Sequence, residues 1–271
     1  MGSNRAESPL LSGTAGEPTT RIAVDVRRFP WIRRLAADYA YDFPSVAPFF
    51  SGNPTDRAAW AHAIRCAQAY ARHRDEMVSV LRRQQEERGA PTRSREAAQA
   101  LADPRAVALV TGQQAGLFGG PLFTLLKALT ALKLADQVAR EHGVPAIAVF
   151  WIDAEDHDWN EVRSCTVFDE ALAACTVSLP PRPGSAEPAP VATVRLDGSI
   201  TAALGELERV LPPTEFRAGL MADLRDAYAP GTGMAVAFGR WIEPSFIIPA
   251  SMFWISRSEM VQSSETSSDF S

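Results

Sequence analysis

Hydrophobic positions along the chain follow two registers, and the change between them divides it. Trp60, Ile64, Ala67, Ala71, Val78 and Leu81 recur at the three- and four-residue steps of one helical face. This spacing predicts a single long helix, capped by Thr55 or Asp56, running to about Arg88 and closed by Gly89 and Pro91. A shorter helix is expected over about 94–102. The period is then lost. Val107-Ala108-Leu109-Val110 is a continuous apolar run, the kind buried on both sides in a parallel sheet. The turn TGQQAGLFGG comes next, and Pro121 opens the following helix, where its missing N–H would have had no partner. That helix carries a stripe at Leu122, Leu125, Leu126, Leu129, Leu132 and Val138, and ends at His142-Gly143. A second apolar run, 146–152, completes a βαβ unit, so the two strands should be parallel with a right-handed crossover. The expected class is α/β with a parallel sheet.

The flanking segments are less regular. Residues 1–20 are rich in Ser, Gly, Pro and Thr and read as a disordered leader. Residues 21–105 make a helical N-terminal part, with an aromatic, proline-punctuated loop over 41–55, and 106–162 hold the βαβ unit. A connecting segment is expected over 163–232. It comprises a hairpin at 162–179 turning around Asp169-Glu170, a proline-rich linker at 180–190, a strand over Val191–Leu196, and helices at about 199–211 and 214–228. A further helix begins near Gly233. Residues 242–255 are apolar with two prolines and no period, and the last sixteen residues contain seven serines, so a polar tail is expected.

Chemistry concentrates at two places. Behind the second apolar run, FWIDAEDHDWN sets Asp153, Glu155, Asp156, His157 and Asp158 in six positions. Four carboxylates so close repel one another unless a cationic or protic group sits among them. They are compatible with a divalent metal, with a general base at His157 or a carboxylate of raised pKa, or with a solvated acidic loop. Extended geometry would turn Asp153, Glu155 and His157 to one side and Asp156 and Asp158 to the other. The second place is Gly112–Gly120, spelling G-x3-G-x2-G-G, which is neither GxGxxG nor a P-loop. Gly112, Gly116, Gly119 and Gly120 permit close backbone approach, and the helix N-terminus at Gly120-Pro121 offers N–H groups and positive dipole to an anion. Lys127 has the reach for a phosphate or carboxylate, and Gln113 and Gln114 add neutral donors and acceptors. A tight strand-to-helix turn accounts for the glycines equally well. Both segments lie beyond strand carboxyl ends, where open α/β sheets bind ligands.

Other candidates carry less. His62, Cys66 and His73 share a helical face opposite the apolar stripe and lack a fourth ligand, so exposed surface is expected rather than zinc. Cys165 and Cys175 read as small buried hydrophobes. A net charge of −5 argues against sequence-nonspecific nucleic-acid binding. Three widely spaced cysteines without CxxC indicate a reducing compartment. The N-terminus has no apolar signal region, Ala6 stands where myristoylation wants Ser or Thr, and no apolar run approaches the roughly 20 residues of a membrane span. A soluble cytoplasmic protein, with no membrane partner, is the expectation.

TGQQAGLFGGPLFTLLKALTALKLA at 111–135 and VFWIDAEDHDWNEV at 149–162 resemble the bacillithiol biosynthesis cysteine-adding enzymes, the BshC family. Its most recognisable signatures are GQQ-x-GLFGGPL followed by Lys, and the EDHD segment. VAPFF before a long helix is similar to its N-terminal region too, and the likeness covers about 30–241. Ala115 stands where proline is common and Phe123 where tyrosine is common. The resemblance implies a Rossmann-like core with inserted connecting segments, then a helical coiled coil that mediates dimerisation. It implies joining cysteine to the amine of glucosaminyl malate. In that setting His157 and Asp158, with Asp156 and Glu155, would serve catalysis, and Gln113, Gln114 and Asp153 would contact substrate. Gly112, Gly116, Gly119, Gly120 and Lys127 would bind an anion, malyl carboxylate or nucleotide phosphate. Amide formation from a free carboxylate is uphill in water, so activation is expected. A nucleotide (ATP or ADP) and a divalent metal are both compatible, and neither is specified. Family members are much longer, and 242–271 resembles nothing in them. A reading frame lost near Trp241 is therefore expected, leaving an N-terminal fragment without the coiled coil or its dimer. Two other readings stay open: a non-catalytic nucleotide- or anion-binding module, and a metal-dependent hydrolase built on 153–158.

Overall fold

The computed structural model describes residues 24–181, 189–245 and 252–256. The expected leader, most of the proline-rich linker and nearly all of the serine-rich tail lie outside the described residues. By its internal contacts the chain divides into residues 1–56 and 57–271. In the first unit, helix α1 (Arg34–Tyr41) leads into the single turn α2 (Phe43–Val46) and a 3-10 turn, Ala47–Phe49. The segment read as a loop is thus largely short helix. The rings of Tyr39, Phe43 and Phe50 gather there, with centroids 4.6–5.9 Å apart.

In the second unit, the expected long helix is two: α3 (Arg57–Ala69) and α4 (Arg74–Arg88). The Arg72 guanidinium donates to the carbonyls of Ala67 and Tyr70, capping the end of α3. Arg74 donates to the carbonyls of Leu101 and Ala106 at 2.9 and 3.1 Å and ties the start of α4 to the chain beyond α5 (Thr92–Ala100). The break has a packing reason. Ile64 of α3 packs with Val107 and Val138, whereas Val78 and Leu81 of α4 pack with Ile147 and Val149. Those partners lie on opposite faces of the sheet. A single straight helix does not reach both. Gly89 closes α4 in the left-handed conformation, φ +71°, as expected.

Strand β1 (Val107–Gln114) runs through TGQQ, so Gly112, Gln113 and Gln114 are strand residues rather than loop. Gly112 has a reason to be glycine: a Cβ there would stand 2.9 Å from the Cβ of Trp151, its neighbour across the sheet. Helix α6 (Leu122–His142) starts one residue later than expected, with Pro121 as its N-cap. Strand β2 (Ala146–Asp153) pairs with β1 in parallel, from Val107 opposite Ala146 to Gln114 opposite Asp153. The leucine stripe is borne out in part, at Leu132 and Val138. Thr124, Ala128, Ala131, Leu132, Ala135 and Val138 face inward, while Leu122 is 71% exposed and Leu126 54%. Alanines let the helix axis approach the sheet, and the larger leucines fall to the outer side.

After the short helix α7 (Trp159–Val162), β3 (Ser164–Phe168) and β4 (Ala174–Ser178) form the expected hairpin. The Asp169 carboxylate accepts from the N–H groups of Ala171 and Ala173 in its turn. No strand forms over Val191–Leu196; the chain makes a 3-10 turn there. Its Val191 and Ala192 N–H groups bond the carbonyls of Asp156 and Ala154 instead of a sheet neighbour. Helices α8 (Ser199–Val210), α9 (Arg217–Ala227) and α10 (Met234–Ser245) come next, and β5 (Met252–Ser256) pairs in parallel with β2. Among the described residues the larger sheet has the order β1-β2-β5. This strand falls at the end of the apolar stretch 242–255, where no element was expected. A short apolar run suffices for a buried parallel strand yet offers no period by which to recognise it. On one face Ala148, Phe150 and Ile152 pack under α6 and α8–α10; on the other, Ile147 and Val149 pack under α4 and α5.

Candidate functional site

β1 and β2 end side by side, at Gln114 and Asp153, so the segments leaving the two strands share one edge of the sheet. The chain after β1 must reverse within a few residues to enter α6. Gly116 and Gly120 meet in that turn: a Cβ on Gly116 would stand 2.7 Å from the Cα of Gly120. Phe118 is buried with φ +53° and packs edge-on to Tyr228, their ring centroids 5.3 Å apart. The Tyr228 phenol, its pKa pushed up by burial, donates to the carbonyl of Gly116 at 3.2 Å. A Cβ on Gly119 would lie 2.2 Å from the indole of Trp241. The turn is thus clamped by Tyr228, just beyond α9, and by Trp241 of α10.

Beyond β2 the acidic residues separate. The Asp156 carboxylate accepts from the Gln114 side-chain amide at 2.5 Å and from the Asp158 N–H at 3.1 Å. The Gln114 bond, foremost, holds the pKa of Asp156 below the usual carboxylate value. The same amide nitrogen stands 3.3 Å from the carboxylate of Glu161. Gln114 is therefore a protic group set among the carboxylates. Asp158 caps α7 by accepting the Glu161 N–H at 3.1 Å. His157 and Asp158 are exposed, whereas Asp153 and Glu155 are half-buried. Lys127 turns to β1, donating to the Gly112 carbonyl at 3.2 Å and to Gln113 Oε1 at 2.8 Å.

A cavity of about 370 Å³ opens between the glycine turn and the chain from Glu161 to Thr166. Gln113, Gln114, Gly116, Gly120, Glu161 and Cys165 are on its walls, and burial pushes the Cys165 thiol up. Of the residues singled out from sequence, Gln113, Gln114, Gly116 and Gly120 meet here. Gly112 and Gly119 instead accommodate Trp151 and Trp241, and Lys127, Asp153, Glu155, Asp156, His157 and Asp158 are not among the lining residues. Glu161 was missed, although Asp-x-x-Glu from Asp158 is capping-box spacing and placed it at a helix start. No Arg or Lys is among the lining residues, which gives a polyphosphate no cationic cradle. Among the described residues no three His, Cys, Asp or Glu side chains gather to hold a metal. His62 and Cys66 sit 3.5 Å apart on α3, but His73 is the N-cap of α4, across the helix break and off their face.

A family model described as "Bacillithiol biosynthesis BshC, N-terminal Rossmann-like domain" matches residues 22–247. The chain belongs to the BshC family. The match passes Trp241, so all of α10 falls within the family pattern. A relative from Salinibacter ruber is 36% identical over 213 residues, 78% of this chain and 38% of the relative. One from Symbiobacterium thermophilum is 34% identical over 215 residues, 77% of this chain and 37% of the relative. Each is named "Putative cysteine ligase BshC". The chain thus spans less than two fifths of the length of these BshC relatives. The Rossmann-like class agrees with the parallel sheet and its helices on both faces. Among the described residues no helix is long and apolar enough to cross a membrane.

Proposed function

We propose that this BshC-family chain acts in bacillithiol biosynthesis as a cysteine ligase, joining cysteine to the amine of glucosaminyl malate. The observation that carries the reading is the cavity in which Gln114 and Glu161 face the glycine turn before α6. The glucosamine nitrogen is an ammonium until it loses a proton, and only the neutral amine attacks a carboxyl carbon. Glu161, linked through Gln114 to Asp156, is placed to hold that ammonium. Asp156, with Glu155, His157 and Asp158 around it, forms the acidic rim across which the proton leaves. Gln113, Gln114 and, at the strand end, Asp153 orient the sugar. Gly116 and Gly120 let an anionic group approach the start of α6, while Gly112, Gly119 and Lys127 hold the turn and the end of β1 in shape. Loss of oxygen from the cysteine carboxyl requires activation by a co-substrate, and this cavity, without Arg or Lys on its walls, offers no cationic cradle for a nucleotide polyphosphate.

The test is product formation by the 271-residue chain. Cysteine and glucosaminyl malate, with and without ATP, would be followed by mass spectrometry. The reading expects the amide product and a loss of roughly ten-fold or more in kcat/KM for Glu161→Gln. Binding of glucosaminyl malate without any product would make the chain a binding module instead.

A further inference from the structure

We propose that the first turn of α6 is a carboxylate-binding subsite in which the Thr124 hydroxyl is a donor. This rests on the reading of the cavity as the substrate site. Thr124 is 0% exposed and its Oγ1 has no hydrogen-bond partner. Buried hydroxyls are nearly always paired, so an orphan at the mouth of a helix points to a group that arrives later. The position is apt. Thr124 is the third residue of a 21-residue helix, whose first N–H groups have no acceptor within the helix. Its own N–H is taken by the Pro121 carbonyl at 2.9 Å, which leaves the side chain to extend the donor set. Oγ1 lies 3.7 Å from where a Cβ on Gly120 would be, and Gly120, Pro121, Leu122 and Phe123 all line the cavity. Thr124 is not itself among the lining residues; its hydroxyl lies beside the Gly120 wall, where the missing side chain leaves space of about one methyl group.

The walls select the anion. Glu161 is the charged residue on them, and neither Arg nor Lys joins it. A phosphate group with up to two negative charges would meet one helix terminus and an opposing carboxylate. A single carboxylate, one charge on two oxygens, is matched by a hydroxyl and the N–H groups of one turn. Glu161 then suits an ammonium carried on the same ligand. An amino acid and a malyl group share the required carboxylate chemistry, and the ligands tested separate them.

The experiment is calorimetric titration of the full chain with L-cysteine, malate, glucosaminyl malate, inorganic phosphate and ATP. Wild type would be compared with Thr124→Val, which removes the hydroxyl and keeps the shape, and with Thr124→Ser, which keeps the hydroxyl. At least one carboxylate should bind wild type and Thr124→Ser alike and bind Thr124→Val roughly ten-fold or more weakly. Whichever of cysteine and malate responds identifies the source. Should Thr124→Val not fold, the Leu122, Phe123 and Thr124 amide resonances of the wild type must move when that carboxylate is added. The proposal is overturned if no carboxylate binds, if the Val variant binds as wild type does, if those amides stay still, or if phosphate is the ligand that responds. Product formed with an unchanged KM in Thr124→Val removes the subsite and leaves the ligase reading standing. Carboxylate binding lost in Thr124→Val with no product under any condition does the reverse.

Discussion

The phenol of Tyr228 reaches the carbonyl of Gly116 at 3.2 Å, both groups buried beneath the turn that starts α6. A residue more than a hundred positions downstream thereby fixes the backbone that borders the cavity. Gly116 O also accepts the Gly119 N–H at 3.1 Å, so it keeps one partner when the phenol is removed. Tyr228→Phe should therefore cost only about 1 kcal/mol, a fall in Tm of roughly 2–4 °C for a domain of this size. Differential scanning calorimetry reads it directly. A variant as stable as wild type would show that the contact contributes nothing.

The contact between Gly119 and Trp241 predicts a larger effect. Gly119 combines φ +98° with an indole carbon 2.2 Å from any added Cβ, whereas Gly89 has φ +71° and open space around it. Gly89→Ala pays only for the left-handed backbone, about 1 kcal/mol. Gly119→Ala adds overlap in a packed core and should lose about 3 kcal/mol or more. Urea denaturation of the two variants would show equal losses if the Trp241 contact were slack.

These contacts also explain how far sequence reached. The βαβ unit was legible because its two apolar runs and glycine turn obey local rules, and Gly89 and Gly143 mark helix ends wherever they stand. Gly116 and Gly120 followed from topology, since they lie past the end of β1, whereas Gln113 and Gln114 are the last residues of that strand, where a loop was expected. The break between α3 and α4 was not legible, because an unbroken stripe does not say that its two halves serve opposite faces of a sheet. Leucines on α6 outranked alanines in the pattern, yet close approach to the sheet favours Ala128, Ala131 and Ala135. Which part of the acidic segment meets the cleft depends on Gln114 reaching Asp156 and Glu161, a contact across more than forty residues.

That contact makes a titration test. Gln114 is the main group holding Asp156 below the usual carboxylate value. In Gln114→Ala the Asp156 pKa should rise toward the ordinary range, as tracked by carboxyl 13C resonances. A depressed folded pKa contributes stability that is present above the unfolded value and is lost as pH falls through the folded one. Gln114→Ala should thus be less stable than wild type above the ordinary carboxylate range and lose less on acidification, so that the two stability curves converge at low pH. An Asp156 resonance titrating identically in both proteins would remove Gln114 as the cause.

Arg88 and Glu243 set the opposite case. Arg88 Nε lies 3.3 Å from Glu243 Oε2, joining the last turns of α4 and α10, and the side chains are 8% and 2% exposed. Burial outweighs the attraction of Arg88 and raises the Glu243 pKa. The folded state then holds its proton to higher pH than the unfolded chain does. Stability should fall as pH rises from the ordinary glutamate range through the raised folded value, and Glu243→Gln should flatten that slope. Arg88→Met should destabilise by about 3–5 kcal/mol at neutral pH, because it leaves a buried carboxylate with Ser94 but without its cation, and by much less once Glu243 is protonated. Denaturant midpoints measured across pH for the three proteins decide it. A slope in Glu243→Gln equal to that of wild type would place the titrating group elsewhere.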